Sequence, residues 1–170
     1  PEPSDRPRIN GPKIYGARPG HEFLYKIPAT GERPMTFSVN GLPEGLRLDP
    51  ATGIIKGVCN KAGKYICTVK AVNDKGSAKR EFTILIGEQI ALTPPMGWNS
   101  WNCFACSVTG DQVKSAADAM ISSGLADHGW TYINIDDCWM RQPESDDPLV
   151  GGNIRDENGN ILTNAKFGNI

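Results

Sequence analysis

Two stretches carry side chains that could do chemistry together. Met96-Gly97-Trp98-Asn99-Ser100-Trp101 sets two tryptophans around a glycine, an amide and a hydroxyl. Ile133-Asn134-Ile135-Asp136-Asp137-Cys138-Trp139 is an apolar run that ends in two adjacent carboxylates. An indole plate beside fixed carboxylates suits a sugar: the ring stacks on the apolar face of a pyranose while the carboxylates accept its hydroxyl protons. Each feature also has a plainer reading. Adjacent aspartates commonly cap a helix or sit solvated in a loop, and tryptophans commonly line a core. A divalent cation would need a third oxygen ligand that no nearby residue supplies. His21 and His128 lie in polar, glycine-flanked settings and read as surface residues.

The elements around these residues belong to a βαβ unit. Thr109-Gly110-Asp111-Gln112 has the form of a capping box. Val113, Ala116, Ala117, Met120 and Ile121 then recur at helical spacing, and Gly124 follows as a stop. The spacing predicts a helix over 110–123. Thr131 to Ile135 has no polar face, as a buried parallel strand would. With a strand near Gly97, the order is strand, helix, strand. Asp136 and Asp137 then lie at the carboxyl end of a parallel strand, where α/β folds keep their ligands. A strict pleat would point them apart, so both face one ligand only if the chain is already turning into a loop. From Arg141 onward the chain is polar and reads as a long loop.

The preceding part has another period. Phe23, Tyr25 and Ile27 alternate with Glu22, Leu24 and Lys26, and Met35, Phe37 and Val39 follow the same rule. Tyr65, Cys67, Val69 and Ala71 continue it, as do Phe82, Ile84 and Ile86. Period two with one apolar face predicts half-buried strands. Asn40-Gly41, Asp49 to Gly53, Asn60 to Gly63 and Asn73 to Gly76 supply turns between them. Residues 1–7 read as a linker, 8–87 as a small all-β sandwich and 88–170 as a separate βαβ segment.

Composition narrows the partners. Of 170 residues, 39% are hydrophobic and 22% charged, with a net charge of −1. That balance gives no electrostatic reason to expect nucleic acid or an anionic membrane. No apolar run approaches the roughly 20 residues that span a bilayer. Nothing resembles a signal peptide, although a chain starting at Pro1 is compatible with a removed leader. The five cysteines, at 59, 67, 103, 106 and 138, lack the paired C-x-x-C spacing of a structural zinc site. Disulfides in an oxidising compartment suit them better, with one thiol left over.

Two resemblances add to this. Leu42-Pro43-Glu44-Gly45-Leu46-Arg47-Leu48-Asp49-Pro50-Ala51-Thr52-Gly53-Ile54-Ile55-Lys56-Gly57 resembles the signature of bacterial immunoglobulin-like (cadherin-like) modules, which often accompany secreted hydrolases. Leu92 to Asn102, then Cys106, Ala117 to Met120, Ser123 to Leu125 and Tyr132 to Trp139, resemble the α-galactosidase family of retaining glycoside hydrolases over about residues 90–167. The family departs from this chain in having His or another residue at position 103 and Tyr at 130.

The second resemblance implies the first βαβ segment of a (β/α)8 TIM barrel, truncated here, after an all-β immunoglobulin-like sandwich. It implies that Trp101 forms the aromatic wall of a galactose subsite and that Asp136 and Asp137 accept from hydroxyls at positions 4 and 6. It also implies a Cys106–Cys138 disulfide; Cys103 would be a free thiol without a catalytic role. Spacing alone allows a second pair, Cys59–Cys67, across a hairpin. The expected partner is a galactose-containing oligosaccharide or polysaccharide, with no nucleic acid, membrane, metal or organic cofactor, in a secreted or periplasmic bacterial setting. Both catalytic carboxylates would lie on later strands, so the chain is expected to be an amino-terminal fragment with no catalytic residue and no hydrolase activity of its own. An α-N-acetylgalactosaminidase is the near alternative, since the residues choosing between 2-hydroxyl and 2-acetamido are expected later. From another class, the chain would be a non-catalytic spacer or adhesion module with a sugar-binding remnant.

Overall fold

The alternation of apolar and polar residues becomes two facing sheets in the computed structural model, which describes residues 4–168. The strands are β1 (Arg8–Ile9), β2 (Ile14–Ala17), β3 (Glu22–Lys26), β4 (Ala29–Thr30), β5 (Thr36–Asn40), β6 (Leu46–Leu48), β7 (Ile54–Val58), β8 (Gly63–Asn73) and β9 (Gly76–Ile86). One sheet has the order β2-β9-β8-β5 and the other β3-β7-β6, while β1 pairs with β4. All these pairings are antiparallel except β2 with β9. The inward residues of both sheets form one buried cluster that includes Phe23, Ile27, Phe37, Ile55, Cys67, Val69, Phe82 and Ile84. Tyr25 stacks on Phe82 with ring centroids 4.6 Å apart, and Tyr15 meets Phe23 edge-on at 5.2 Å.

Turn chemistry fixes the register. The Asp49 carboxylate accepts from the backbone N–H of Ala51 at 2.9 Å and of Thr52 at 3.4 Å, closing the link from β6 to β7. Asn73 does the same for the β8–β9 hairpin, accepting from Lys75 N–H at 2.9 Å. Gly45, just before β6, and Gly57, on β7, lie where the two segments run too closely for a side chain: a Cβ on Gly45 would strike the Val58 carbonyl oxygen, and one on Gly57 the Gly45 carbonyl oxygen. This close approach is why the Leu42–Gly57 signature carries glycine at both positions.

Several sequence expectations shift here. The segment read as linker over residues 1–7 lies partly outside the described residues, yet Asp5 already accepts from Glu32 N–H and from the Asn73 amide. The first compact unit runs on through Pro95 and takes in Gly124–Trp130 as well. Within it, the Asp127 carboxylate takes ion pairs from Lys26 at 3.2 Å and Arg33 at 2.8 Å. The Cys59–Cys67 pair is not formed, and both thiols are buried and free. Cys67 lies on β8 and Cys59 follows β7, and these strands belong to different sheets instead of one hairpin. Each thiol finds a carbonyl instead, Lys61 for Cys59 and Gly41 for Cys67. Burial pushes the Cys67 thiol above its ordinary pKa.

The second unit begins at Met96, leaves out 124–130 and resumes at Thr131. It contains β10 (Gly97–Asn99), the short helix α1 (Trp101–Phe104), α2 (Gly110–Ser122) and β11 (Tyr132–Asn134). β10 and β11 are parallel, with Trp98 opposite Ile133 and Asn99 opposite Asn134. Gly97 is required there, because a Cβ would overlap the Tyr132 carbonyl. The capping box is complete: Thr109 accepts from Gln112 N–H and Gln112 accepts from Thr109 N–H. β11 is half-buried instead of fully buried, since only one strand flanks it among the described residues. Beyond Arg141 the chain forms a loop region held by isolated bridges such as Met140 with Thr163. No described helix is long and apolar enough to cross a membrane.

Candidate functional site

β11 ends at Asn134, and the two aspartates lie just past it rather than at its last residue. The reason is local. The partner strand stops at Asn99, and after Ser100 N–H donates to the Asn134 carbonyl at 3.1 Å the chain turns into α1. A side chain then takes over from the ladder: the Ser100 hydroxyl accepts from Asp136 N–H at 3.0 Å. Ser100 is fully buried, so this bond is shielded from competing water. The chain is therefore already bending at the aspartates, the condition under which the pleat no longer forces them apart. Both are exposed.

The two carboxylates are held by different devices. Asp136 accepts from the Asn99 amide at 2.9 Å. Asp137 accepts from the N–H of the next residue, Cys138, at 2.6 Å. Cys138 has a left-handed backbone with φ of 68°, a conformation that costs energy for a residue with a Cβ and must be imposed by its surroundings. Two constraints impose it. A disulfide joins Cys138 to Cys106, with Cα atoms 5.0 Å apart. The Asn164 amide donates to the Cys138 carbonyl at 2.8 Å and to that of Met140 at 3.2 Å. Asn164 is itself buried, and its carbonyl oxygen accepts from Lys166 N–H at 3.1 Å.

Trp101 starts α1 and is 43% exposed, so its indole retains a face for a ligand. Its backbone N–H donates to the Asn99 side-chain oxygen at 2.9 Å. One asparagine thus bonds both Trp101 and Asp136, which brings two of the three sequence-derived site residues within reach of a single side chain. Trp98 is half-buried and packs edge-on against Phe104 at 6.1 Å. Trp139 is half-buried, and its carbonyl accepts from Asn164 N–H at 2.9 Å. Cys103 is exposed and unpaired.

Three participants were not singled out from the sequence: Asn99, Ser100 and Asn164. The first two stood inside the tryptophan motif, where their polarity between two indoles was the available signal. Asn164 stood at the end of the stretch that resembles the family, within Asn164-Ala165-Lys166-Phe167, with no role assigned to its side chain. Among the described residues no three His, Cys, Asp or Glu side chains gather as metal ligands. Chemically, the arrangement offers an exposed indole and two carboxylates in fixed poses, which is equipment for binding a polyol.

Comparison with known proteins agrees with this division. Residues 6–87 match the family described as "Putative Ig domain", and residues 93–158 match the family described as "Alpha galactosidase A". An alpha-galactosidase A of Cellvibrio japonicus is 46% identical over 79 residues, covering 46% of this chain and 17% of that protein. An alpha-galactosidase of Cyamopsis tetragonoloba is 48% identical over 76 residues, covering 45% of this chain and 16% of its own. The chain therefore spans about a sixth of the length of these curated relatives. A crystal structure from Bacteroides fragilis, described as a "putative alpha-galactosidase", superposes with a TM-score of 0.82 at 45% identity. It covers 96% of this chain, which covers 33% of it.

Proposed function

We infer that this chain, an immunoglobulin-like domain followed by an α-galactosidase-like segment, supplies the galactose-recognition part of a glycoside hydrolase that cleaves terminal α-galactosyl residues with retention. The observation that carries the reading is the placing of Asp136 and Asp137 just past β11, with Asn99 tying Asp136 to the backbone of Trp101. In this reading Trp101 stacks on the apolar face of galactose, while Asp136 and Asp137 accept from the 4- and 6-hydroxyls. A hydrogen bond to a charged acceptor contributes roughly 1.5–3 kcal/mol. Losing one because the 4-hydroxyl is equatorial would separate glucose from galactose by about tenfold or more.

Neither aspartate is assigned to bond making. A retaining glycosidase needs a nucleophile and an acid/base carboxylate about 5–5.5 Å apart, and these belong to parts of the whole enzyme other than the residues described. The βαβ unit is read as the opening of a (β/α)8 barrel, in which further strands cover β10 and β11. The Cys106–Cys138 disulfide supports a secreted or periplasmic setting. The natural partner is a galactose-bearing oligosaccharide or polysaccharide.

Hydrolysis of an aryl α-galactoside by the whole protein tests the reading. We expect turnover with release of α-galactose as the first anomer, little activity on the α-glucoside, and no loss on chelation. Equal rates on both glycosides, or preference for the 2-acetamido sugar, would overturn the assignment to galactose.

A further inference from the structure

We propose that Asn99 is a positioning residue whose amide sets the pose of the Asp136 carboxylate for the sugar; the proposal rests on the functional reading above. Asparagine carries an acceptor and a donor on one rigid plane. In Asn99 the two ends have separate partners. Its oxygen accepts from Trp101 N–H at 2.9 Å, which leaves its NH2 group facing Asp136 Oδ2, also at 2.9 Å. The backbone bond decides which way the amide is flipped, and the flip decides that a donor faces the carboxylate.

The consequence is specific. Asp136 has an exposed side chain, and a free carboxylate on a loop samples several rotamers. The Asn99 bond engages one oxygen and leaves the other, with its remaining lone pairs, for a ligand hydroxyl. Ser100 holds only the main chain of Asp136 through its N–H. Position 99 therefore governs the carboxylate, while position 100 governs the backbone that carries it. The geometry is preorganisation for ligand binding, with the ordering done before the sugar arrives.

A purely structural role is the competing explanation. A side-chain oxygen accepting from the N–H two residues on forms an Asx turn, and that alone would help start α1. Asn99→Asp separates the two. Aspartate accepts from Trp101 N–H as well as asparagine does, but it turns an acceptor and a negative charge toward Asp136. Asn99→Leu removes both bonds.

Kinetics of aryl α-galactoside hydrolysis by the whole protein provide the test, alongside thermal unfolding. We expect Asn99→Asp to raise KM by about tenfold or more, the factor given by one charge-assisted hydrogen bond. Its kcat should change less, and its Tm should fall less than that of Asn99→Leu, because the bond to Trp101 N–H is kept. Asn99→Leu should raise KM similarly and also lower Tm. If Asn99→Asp retains the original KM, or if its activity falls only in step with its Tm, the positioning role is overturned. If the unsubstituted protein fails to turn over the galactoside, the functional reading falls instead. A crystal structure of Asn99→Asp then decides position 99 on its own: an Asp136 carboxylate turned away supports the proposal, and an unmoved one refutes it.

Discussion

The sandwich and the βαβ unit are held together by opposite means. In the sandwich, aromatic and aliphatic side chains from both sheets merge into one cluster, and its Phe23, Ile55, Phe82 and Ile84 are almost wholly removed from water. In the βαβ unit the buried apolar residues are few, chiefly Val108, Met120 and Phe167. The only two buried polar side chains among the described residues, Ser100 and Asn164, both lie there, and each bonds the chain that carries an aspartate. Packing sets the general shape of the sandwich to within the tolerance of hydrophobic contact. Hydrogen bonds and a disulfide set the pose of particular atoms, which is what recognition of one hydroxyl demands.

The contrast breaks most sharply at the core. Phe82→Ala removes a ring that stacks on Tyr25, and it should cost about 3–5 kcal/mol, read from the sandwich's transition in denaturant. A cost below about 1 kcal/mol would mean that the sandwich does not depend on this cluster. The joint change Cys106→Ser with Cys138→Ser should destabilise the βαβ unit by about 2–4 kcal/mol in thermal unfolding. Because Cys138 follows Asp137, sugar binding should weaken as well; unchanged binding would show that Asn164 suffices to hold the loop.

Asn164→Ala sharpens that point. It strips the donor from the Cys138 and Met140 carbonyls, for an expected loss of about 1–3 kcal/mol. The smallest effect is one of pH. Asp49 is held below the ordinary carboxylate pKa, first by the Ala51 N–H and then by its bond with the Thr52 side chain. A depressed pKa stabilises the fold above the unfolded-state value and loses that contribution as pH falls through the folded value. Asp49→Ala should therefore lower Tm at neutral pH, and the gap from the unsubstituted protein should close as the medium is made strongly acidic. A gap that is constant with pH would rule out the carboxylate as its source.

Much of the sandwich was legible because period two is a property of single strands. Phe23 with Tyr25, and Cys67 with Val69 and Ala71, announce their face without reference to any partner. β1, β2, β4, β6 and β7 escaped, being only two to five residues long and set among Gly and Pro. Cys59 and Cys67 misled because nearness in sequence suggested one hairpin, whereas the chain crosses between sheets after β7. In the site, the residue types were legible and the links between them were not. Nothing in the order Asn99-Ser100 says that one will hold the carboxylate and the other the backbone of a residue 36 or 37 positions away. Such bonds exist only once β10 and β11 lie side by side.

The proposed choice of galactose by its axial hydroxyl at Asp136 is tested most directly by ligand-observed NMR of this chain. Saturation transfer should reach galactose, be clearly weaker for glucose, and vanish for galactose in Asp136→Ala. Equal transfer to both sugars, or a galactose signal unaffected by Asp136→Ala, would contradict it.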